Sequence, residues 1–284
     1  VSRPILVFTP LLEDDFAAAR HANLTPTLGD PAAIAAWIPS GASWHLAIDT
    51  GMQRAGIPHN EISAVIDLVR QSPPEGAFTH LHSADSDLAA IDQQQALFET
   101  AVAALPERPR YLHVENSPGI EQQSPSQWDL ARPGIFLYGV STAIDSPVAA
   151  LPVAHLRARI VEMRDVQPGA GVSYGHTWHA PADSRRRIAT VNAGYADGVR
   201  RSFGNRTHAL VHGRPAPIVG VVTMDMTMLD VTDVPCVVGD LVTLLGRDAD
   251  AVVDVATAAR AAGLSPYEVL TGLRSRAERR YIGP

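Results

Sequence analysis

The chain contains no lysine. All 23 residues counted as lysine or arginine are arginines. The formal net charge is −7, and the densest basic cluster is a run of three arginines at 185–187. Nucleic-acid binding requires clustered positive charge that neutralises phosphates. Three arginines in an acidic chain are more typical of a solvated loop, so the sequence argues against a nucleic-acid partner.

Cysteine and long apolar segments are also scarce. Cys236 is the only cysteine, so no disulfide can form within the chain. No apolar run approaches the roughly 20 residues that cross a bilayer, and no charged start precedes an apolar segment of the kind that directs secretion. These absences predict a cytoplasmic protein with no membrane partner. The length of 284 residues suits one large α/β domain and a smaller second domain.

Short apolar runs alternate with amphipathic helical patterns through the first half of the chain. Predicted strands start near 45, 78 and 111, and this spacing is typical of βα units in a parallel sheet or barrel. The predicted strands are PILVF, WHLAID (44–49), FTHLHS (78–83), YLHVENS (111–117) and GIFLYGV (134–140). Helices are predicted in NEISAVIDLVRQS, with Asn60 as the N-cap, and in SDLAAIDQQQALFETAVAAL.

The second half of the chain changes character near His155. Short strands separated by glycines predict a small antiparallel β domain, and a terminal helix is predicted in SPYEVLTGLRSRAERR. The predicted strands are HLRARIVEMRDV, RIATVNAG, HALVHG, PIVGVVTMDMTMLDV and DLVTLLG. The boundary falls in the Pro- and Ala-rich DSPVAALP, which divides the chain into domains 1–148 and 149–284.

Two motifs in the first half carry candidate chemistry. In HLAIDTGMQRAG, Arg54 stands in a loop that follows a strand, where it could clamp a carboxylate or be an ordinary surface arginine. In THLH, His80 and His82 are placed on one face of a predicted strand. A metal site would need His113 as a third ligand. Because no carboxylate or thiolate stands at ligand spacing, hydrogen-bonded core histidines are the simpler interpretation.

Further candidates lie in glycine-containing turns. Ser117 in HVENSPG and Arg132 before Gly134 in ARPGIFLYG follow successive strands, where barrels often bind a phosphate group. By composition alone, Tyr174 in GVSYGHTW, Tyr195 in NAGYADG, and Met224 with Asp225 in VTMDMTM are typical of structural turns.

An ordered series of motifs closely resembles alanine racemase from near Pro4 to Tyr281. The motifs are HLAIDTGMQRAG, THLHSAD, LHVENSPG, LARPGIFLYG, GVSYGHTW, AGYADGVRRSF, PIVGVVTMDMTMLDV, GDLVTLLG and PYEVLTGLRSRAERRY. The resemblance implies a pyridoxal-phosphate barrel followed by a β domain. It further implies a homodimer with shared active sites that interconverts L- and D-alanine and supplies D-alanine for peptidoglycan.

The resemblance also assigns roles to individual residues. Tyr174 would be the catalytic tyrosine, His80 its hydrogen-bond partner, and Arg132 the residue that faces the pyridine nitrogen of the cofactor. Substrate-binding roles are implied for Arg54, Met224 and Tyr195. Contacts to the cofactor phosphate are implied for Ser117, Gly134, Ile135 and Tyr267.

The chain departs from the family pattern in two places. The family's cofactor lysine lies on its first barrel strand, and PILVF matches the third, so the first two βα units, roughly 60 to 80 residues, are missing. We expect an incomplete (β/α)8 TIM barrel from an N-terminally truncated sequence that is inactive alone. Ala47 stands where the family often has a carboxylated lysine that orients the arginine matching Arg54. The alternative is a non-catalytic relative that binds pyridoxal phosphate or an amino-acid adduct as a sensor.

Overall fold

A computed structural model of the chain describes residues 3–122, 126–143 and 146–282. The chain divides into two compact units. The first unit comprises residues 1–136 and 141–149, and the second comprises residues 137–140 and 150–284. No helix in the described ranges is long and apolar enough to cross a membrane.

The first unit contains a parallel sheet of six strands. The strands are β1 (Ile5–Val7), β2 (Leu24–Leu28), β3 (His45–Asp49), β4 (Ile57–Pro58), β5 (Gly76–Phe78) and β6 (Tyr111–His113). Their order is β1-β2-β3-β5-β6, with β4 paired to β3. Because every pair is parallel, the carboxyl ends of the strands meet at one edge, and residues that directly follow β5 and β6 lie together there.

Five α-helices accompany this sheet in the described part of the unit. They are α1 (Phe16–His21), α2 (Pro31–Trp37), α3 (Ile66–Gln71), α4 (Leu88–Ala103) and α5 (Ser117–Gln122). Asp30 caps α2 by accepting a hydrogen bond from Ala33 N, and Asp87 caps α4 in the same way through Ala90 N. All five residues of β3 are buried, and β3 contributes to a core whose most deeply buried side chains include Ile34, Trp37, Leu46 and Phe98.

The predicted parallel α/β organisation is confirmed, but several predicted elements are wrong. GIFLYGV forms a 3-10 helix at Ile135–Tyr138 instead of a strand, and within this helix Ile135 is buried whereas Leu137 and Tyr138 face solvent. β5 ends at Phe78, so His80 and His82 do not lie on a strand face. Asn60 is not an N-cap, since residues 59–65 form a 3-10 helix before α3 and the backbone of Glu61 is non-helical.

The second unit contains an antiparallel sheet of seven strands and a separate two-stranded hairpin. The strands of the sheet are β7 (Leu156–Val166), β10 (Arg186–Val191), β11 (His208–Val211), β12 (Arg214–Pro217), β13 (Thr227–Asp230), β14 (Leu241–Asp248) and β15 (Ala251–Val253). Their order is β12-β11-β14-β7-β10-β13, with β15 paired to β14. The hairpin consists of β8 (Gly171–Val172) and β9 (Trp178–His179).

The predicted antiparallel β domain is confirmed, and its helices differ from the prediction. The sequence patterns did not indicate α6 (Val255–Ala262), although Asp254 caps it through Thr257 N. The terminal helix is short: α7 (Pro266–Thr271) begins with a capping box formed by Ser265 and Glu268. The predicted strand PIVGVVTMDMTMLDV (217–231) is extended only in part: Pro217 is the last residue of β12, and Thr227–Asp230 forms β13.

Candidate active site

Arg132 is fixed at the carboxyl edge of the parallel sheet by three hydrogen bonds. Its Nη2 donates to the carbonyl oxygens of Thr79 and Val114, each at 2.8 Å, and these residues directly follow β5 and β6. Its Nη1 lies 2.8 Å from Nδ1 of His113, and His113 Nε2 lies 2.9 Å from Nδ1 of His45. A guanidinium can only donate, so His113 accepts at Nδ1 and donates from Nε2 to His45. The contacts therefore run in one direction, from Arg132 to His45.

Burial controls the protonation of this chain of side chains. The pKa of His113 falls to about 2 because the ring is buried, and the charges of Arg132 and His45 lower it further. Burial lowers the pKa of His45 to about 4, against an opposing effect of Glu75. Burial also lowers the pKa of Arg132 to about 10, and Glu115 partly offsets this shift. Near neutral pH both histidines are uncharged and Arg132 keeps its positive charge.

Aromatic rings enclose the Arg132 side chain. Its Cζ lies 5.3 Å from the ring centroid of Phe8 and 5.3 Å from that of Phe78, and Phe78 stacks on His113 with centroids 5.0 Å apart. The His45 ring packs directly on the backbone of Gly76, where an added Cβ would overlap the imidazole. Sequence analysis missed Phe8, Phe78 and His45 as supports of this site.

His80 lies near Arg132 and carries a polar atom without a hydrogen-bond partner among the described residues. It follows β5 and is partly buried, and burial lowers its pKa to about 4, with further lowering by the charges of Arg132 and Arg54. Its Nδ1 is buried and has no hydrogen-bond partner among the described residues. A neutral imidazole with one nitrogen unengaged can serve a further polar group.

The metal hypothesis built on the three histidines gains no support. Both ring nitrogens of His113 are engaged, one by Arg132 and the other by His45. His82 is exposed, and its Nδ1 lies 2.6 Å from Ser83 Oγ. Across residues 3–122, 126–143 and 146–282, the structure contains no group of three His, Cys, Asp or Glu residues that could hold a metal ion.

Three of the predicted phosphate-contact residues lie together. Ser117 is the first residue of α5, and its Oγ accepts hydrogen bonds from Gly134 N at 2.8 Å and Phe136 N at 3.4 Å. Ile135, between them, is buried. A Cβ added at Gly134 would meet only Ser117 Oγ, at 3.8 Å, so the space beside this glycine is open. A hydroxyl and backbone N–H groups next to open space suit a phosphate group.

Arg54 and His80 line one cavity of about 1110 Å³ in the first unit. Ala47 lies in the wall of the same cavity and is buried, whereas Arg54 is exposed. The structure therefore brings the predicted carboxylate-binding arginine to the same cavity as His80.

The second unit gathers another part of the predicted site. Tyr174, Tyr195 and Met224 line one pocket of about 790 Å³, together with Arg201 and Asp225. Tyr174 is 74 % exposed and Met224 is 52 % exposed. The turns that carry Tyr195 and Met224 are joined by two backbone hydrogen bonds, from Tyr195 N to Thr223 O at 2.9 Å and from Ala196 N to Met224 O at 3.0 Å.

Tyr267, the fourth predicted phosphate contact, lies in the first turn of α7 and is half exposed. It belongs to the second unit, whereas Ser117, Gly134 and Ile135 belong to the first. Its contact with the cofactor phosphate stays a prediction.

The fold, with one group of predicted site residues in each unit, defines a two-domain protein that combines a parallel α/β domain with an antiparallel β domain. The family model described as alanine racemase, N-terminal domain, matches residues 1–142, and the model described as alanine racemase, C-terminal domain, matches residues 153–281. The chain therefore belongs to the alanine racemase family.

Individual relatives and solved structures agree with this assignment. The alanine racemase of Citrifermentans bemidjiense is 37% identical over 306 residues, which cover 100% of this chain and 80% of that protein. The alanine racemase of Geobacter sulfurreducens is 41% identical over 254 residues, which cover 84% of this chain but only 66% of the relative. The biosynthetic alanine racemase of Pseudomonas aeruginosa superposes with a TM-score of 0.88 at 30% identity, covering 99% of this chain and 80% of that one.

A further solved structure carries the cofactor of the family. The alanine racemase of Bartonella henselae, with covalently bound pyridoxal phosphate, has a TM-score of 0.87 at 26% identity and covers 98% of this chain and 79% of its own.

Proposed function

We propose that this chain carries most of an alanine racemase, a pyridoxal-phosphate enzyme that interconverts L- and D-alanine and supplies D-alanine for peptidoglycan. The observation that carries the proposal is Arg132, held by Thr79 O, Val114 O and His113 at the carboxyl edge of the parallel sheet. We further propose a cytoplasmic homodimer in which Tyr174, Tyr195 and Met224 serve the active site of the partner subunit. The parallel sheet then corresponds to part of the (β/α)8 barrel of the family.

The residues present fit a phosphorylated pyridine. The Ser117 hydroxyl, beside the open space at Gly134 and Ile135, would donate to the phosphate, and Tyr267 would add a contact. Arg132 would face the ring nitrogen. When bound, pyridoxal phosphate supplies an electron-withdrawing ring that stabilises negative charge at the Cα atom of the substrate. The 284-residue sequence contains no lysine, so it offers no lysine side chain for covalent attachment.

Each side chain then has a defined task. Arg132 stays protonated near neutral pH, since its pKa is about 10, and so would donate a hydrogen bond to the pyridine nitrogen without giving up a proton. Arg54 binds the substrate carboxylate with its two-pronged guanidinium. Tyr174 transfers the Cα proton of the L-enantiomer, and the His80 ring hydrogen-bonds its phenol. Tyr195 and Met224 shape the substrate entry.

The first experiment tests cofactor binding by the 284-residue chain. Equilibrium dialysis should show reversible binding of pyridoxal phosphate, and borohydride reduction should leave no lysine adduct. Ser117→Ala should weaken binding about tenfold, because a hydrogen bond to a charged group is lost. Ser184→Ala, the same change on a loop of the second unit, should bind like the unmodified chain. Binding unaffected by Ser117→Ala would contradict the assigned phosphate site.

The second experiment tests activity. Without lysine the chain should convert no L-alanine to D-alanine above a no-protein control, and detectable conversion would overturn this expectation. If the coding sequence upstream of Val1 encodes a lysine-bearing strand, the extended protein should racemise alanine. In that protein, Tyr174→Phe should lower kcat by on the order of 10²–10⁴. A start codon directly before Val1 would contradict the truncation hypothesis.

The absence of lysine and the presence of Ala47 favour one second candidate, a non-catalytic relative that binds pyridoxal phosphate or an amino-acid adduct as a sensor. A dimer that binds the cofactor reversibly, encoded by a gene with no lysine-bearing strand upstream, would support the sensor over the racemase.

A further inference from the structure

Tyr174 stands on a short turn that closes the hairpin of β8 and β9. Residues 173–177 form this turn, and Tyr174 is exposed over most of its surface. Its phenol makes no hydrogen bond within the described part of the chain. Because most of its surface is exposed, the direction of the Tyr174 side chain depends mainly on the backbone that carries it.

That backbone adopts an unusual conformation. Ser173, directly before the tyrosine, has φ 65° and ψ −174°, a combination that is almost confined to glycine. Gly175 follows with φ 67°, and His176 with φ 45°. A serine persists in such a conformation only when its surroundings hold it there.

Two polar side chains hold it. Ser173 Oγ donates to the carbonyl oxygen of Val221 at 2.7 Å. Asn205 bridges the far side of the turn: its Oδ1 accepts from Gly220 N at 2.6 Å, and its Nδ2 donates to Thr177 Oγ1 at 3.1 Å. Both ends of the turn are therefore tied to the same segment, Gly220 and Val221.

The backbone of that segment approaches the turn closely. A Cβ added at Gly220, whose φ is 71°, would lie 2.8 Å from Ser173 Cβ and 2.7 Å from Val172 O. Only a glycine allows this approach. Val221 then leads into the wall of the pocket that contains Met224 and Tyr174. Ser173 and Asn205 thus attach the tyrosine turn to the segment that carries the predicted substrate-binding methionine.

We propose that Ser173 and Asn205 are positioning residues that hold Tyr174 in the orientation needed for proton transfer. This assignment rests on the proposed function, in which Tyr174 moves the Cα proton. Neither residue contacts the reacting atoms. They act through the backbone of the turn, which fixes the tyrosine before substrate arrives and so limits the reorganisation that proton transfer would otherwise require.

The test measures the mobility of the Tyr174 side chain by ¹⁹F NMR. The chain is labelled with 3-fluorotyrosine at its six tyrosines, and the Tyr174 resonance is assigned by its loss in Tyr174→Phe. In the unmodified chain this resonance should be dispersed and broad. In Ser173→Ala and in Asn205→Ala it should move toward the position of free 3-fluorotyrosine and narrow about twofold, because a mobile ring relaxes more slowly. The other resonances should stay in place.

Two further variants separate the contacts from general loss of folding. Thr177→Val removes the Oγ1 acceptor of Asn205 Nδ2 and leaves the longer contact with Thr177 O at 3.4 Å, so it should shift the resonance in the same direction as Asn205→Ala but by less. Ser173→Gly tolerates the backbone conformation but lacks the hydroxyl, so it should fold and still mobilise the ring. Ser184→Ala, the matched control, should leave the Tyr174 resonance unchanged. An unchanged resonance in folded Ser173→Gly and Thr177→Val proteins would overturn the proposal.

This measurement requires neither cofactor nor turnover. An unchanged Tyr174 resonance would refute the positioning roles and leave the racemase proposal intact. Failure of cofactor binding would count against the racemase proposal without altering the order of the turn. In a lysine-containing, active protein, Ser173→Gly should lower kcat about tenfold with little change in KM, because substrate binding does not depend on the turn.

Discussion

Nη1 of Arg132 lies 2.8 Å from Nδ1 of His113, and this contact sets the tautomers of two buried histidines. The donor is permanently an N–H group, so His113 must accept at Nδ1 and pass its own proton toward His45. The direction of these hydrogen bonds follows from the chemistry of arginine and does not require hydrogen positions to be observed.

His113→Phe should destabilise the chain by about 2–3 kcal/mol, because it leaves a buried guanidinium N–H without an acceptor. The measurement is the free energy of unfolding from urea titration. His21→Phe, a change of the same chemistry at an exposed position of α1, should remain within about 0.5 kcal/mol of the unmodified chain. Equal effects at the two positions would contradict the role assigned to His113.

Stability should fall on acidification below about pH 6.5, the ordinary pKa of histidine. In the folded chain the pKa values of His45 and His80 are about 4 and that of His113 is about 2, so the unfolded chain takes up protons first. Each histidine adds a slope of up to about 1.4 kcal/mol per pH unit. Urea unfolding between pH 7.5 and 4.5 should show this loss, and His80→Gln should reduce the slope. A flat profile over this interval would refute neutral burial of the three rings.

Glu115→Gln should raise stability at pH 8 by about 1 kcal/mol. Burial raises the pKa of Glu115, against lowering by Ser126 and Arg132, and its Oε1 is buried without a partner among the described residues. A carboxyl whose folded pKa is raised favours folding at low pH and loses this contribution as the pH rises through its folded pKa. The difference between variant and unmodified chain should therefore vanish below about pH 4.5. Glu107→Gln, at an exposed position, should change stability little at either pH.

Arg276 should restrict the motion of the two turns that line the pocket with Tyr174. Its Nε lies 2.9 Å from Asp197 Oδ1 and its Nη1 lies 2.8 Å from Asp225 Oδ1, so it joins the turns that carry Tyr195 and Met224. Arg276→Gln should speed amide hydrogen exchange in both turns by about threefold or more, since local opening no longer breaks these ion pairs. Arg280→Gln, which removes a more exposed ion pair with Glu278, should leave both turns unchanged. Faster exchange in only one turn would show that Arg276 does not couple them.

Local patterns predicted much of the fold, and their failures have physical causes. Alternating helical and strand patterns predicted the parallel sheet, and glycine-separated strands predicted the antiparallel one. β2 was missed because Pro26 lies within LTPTL, and proline normally marks an edge or a turn, yet β2 pairs on both sides. The apolar run GIFLYGV predicts a strand, and the prediction fails because periodicity cannot distinguish buried from exposed apolar residues.

Site residues could be predicted from the sequence only where they belong to a recognisable motif. Ser117 and Gly134 were grouped by their motifs, and the structure places them in hydrogen-bond contact. The contact between His45 and His113 spans 68 positions, and no local pattern encodes such a pair. Sequence reasoning likewise could not show that His113, weighed as a metal ligand, accepts a hydrogen bond from Arg132.

The packing of His45 on Gly76 has a consequence for how this chain can change over evolutionary time. No side chain fits at position 76 while the imidazole is present, so a mutation there is tolerated only after position 45 has become smaller. That first mutation would remove the terminal acceptor from the chain of hydrogen bonds that starts at Arg132. Among relatives, the two positions should therefore covary, and a residue larger than glycine at 76 should mark lineages that orient the arginine by other means.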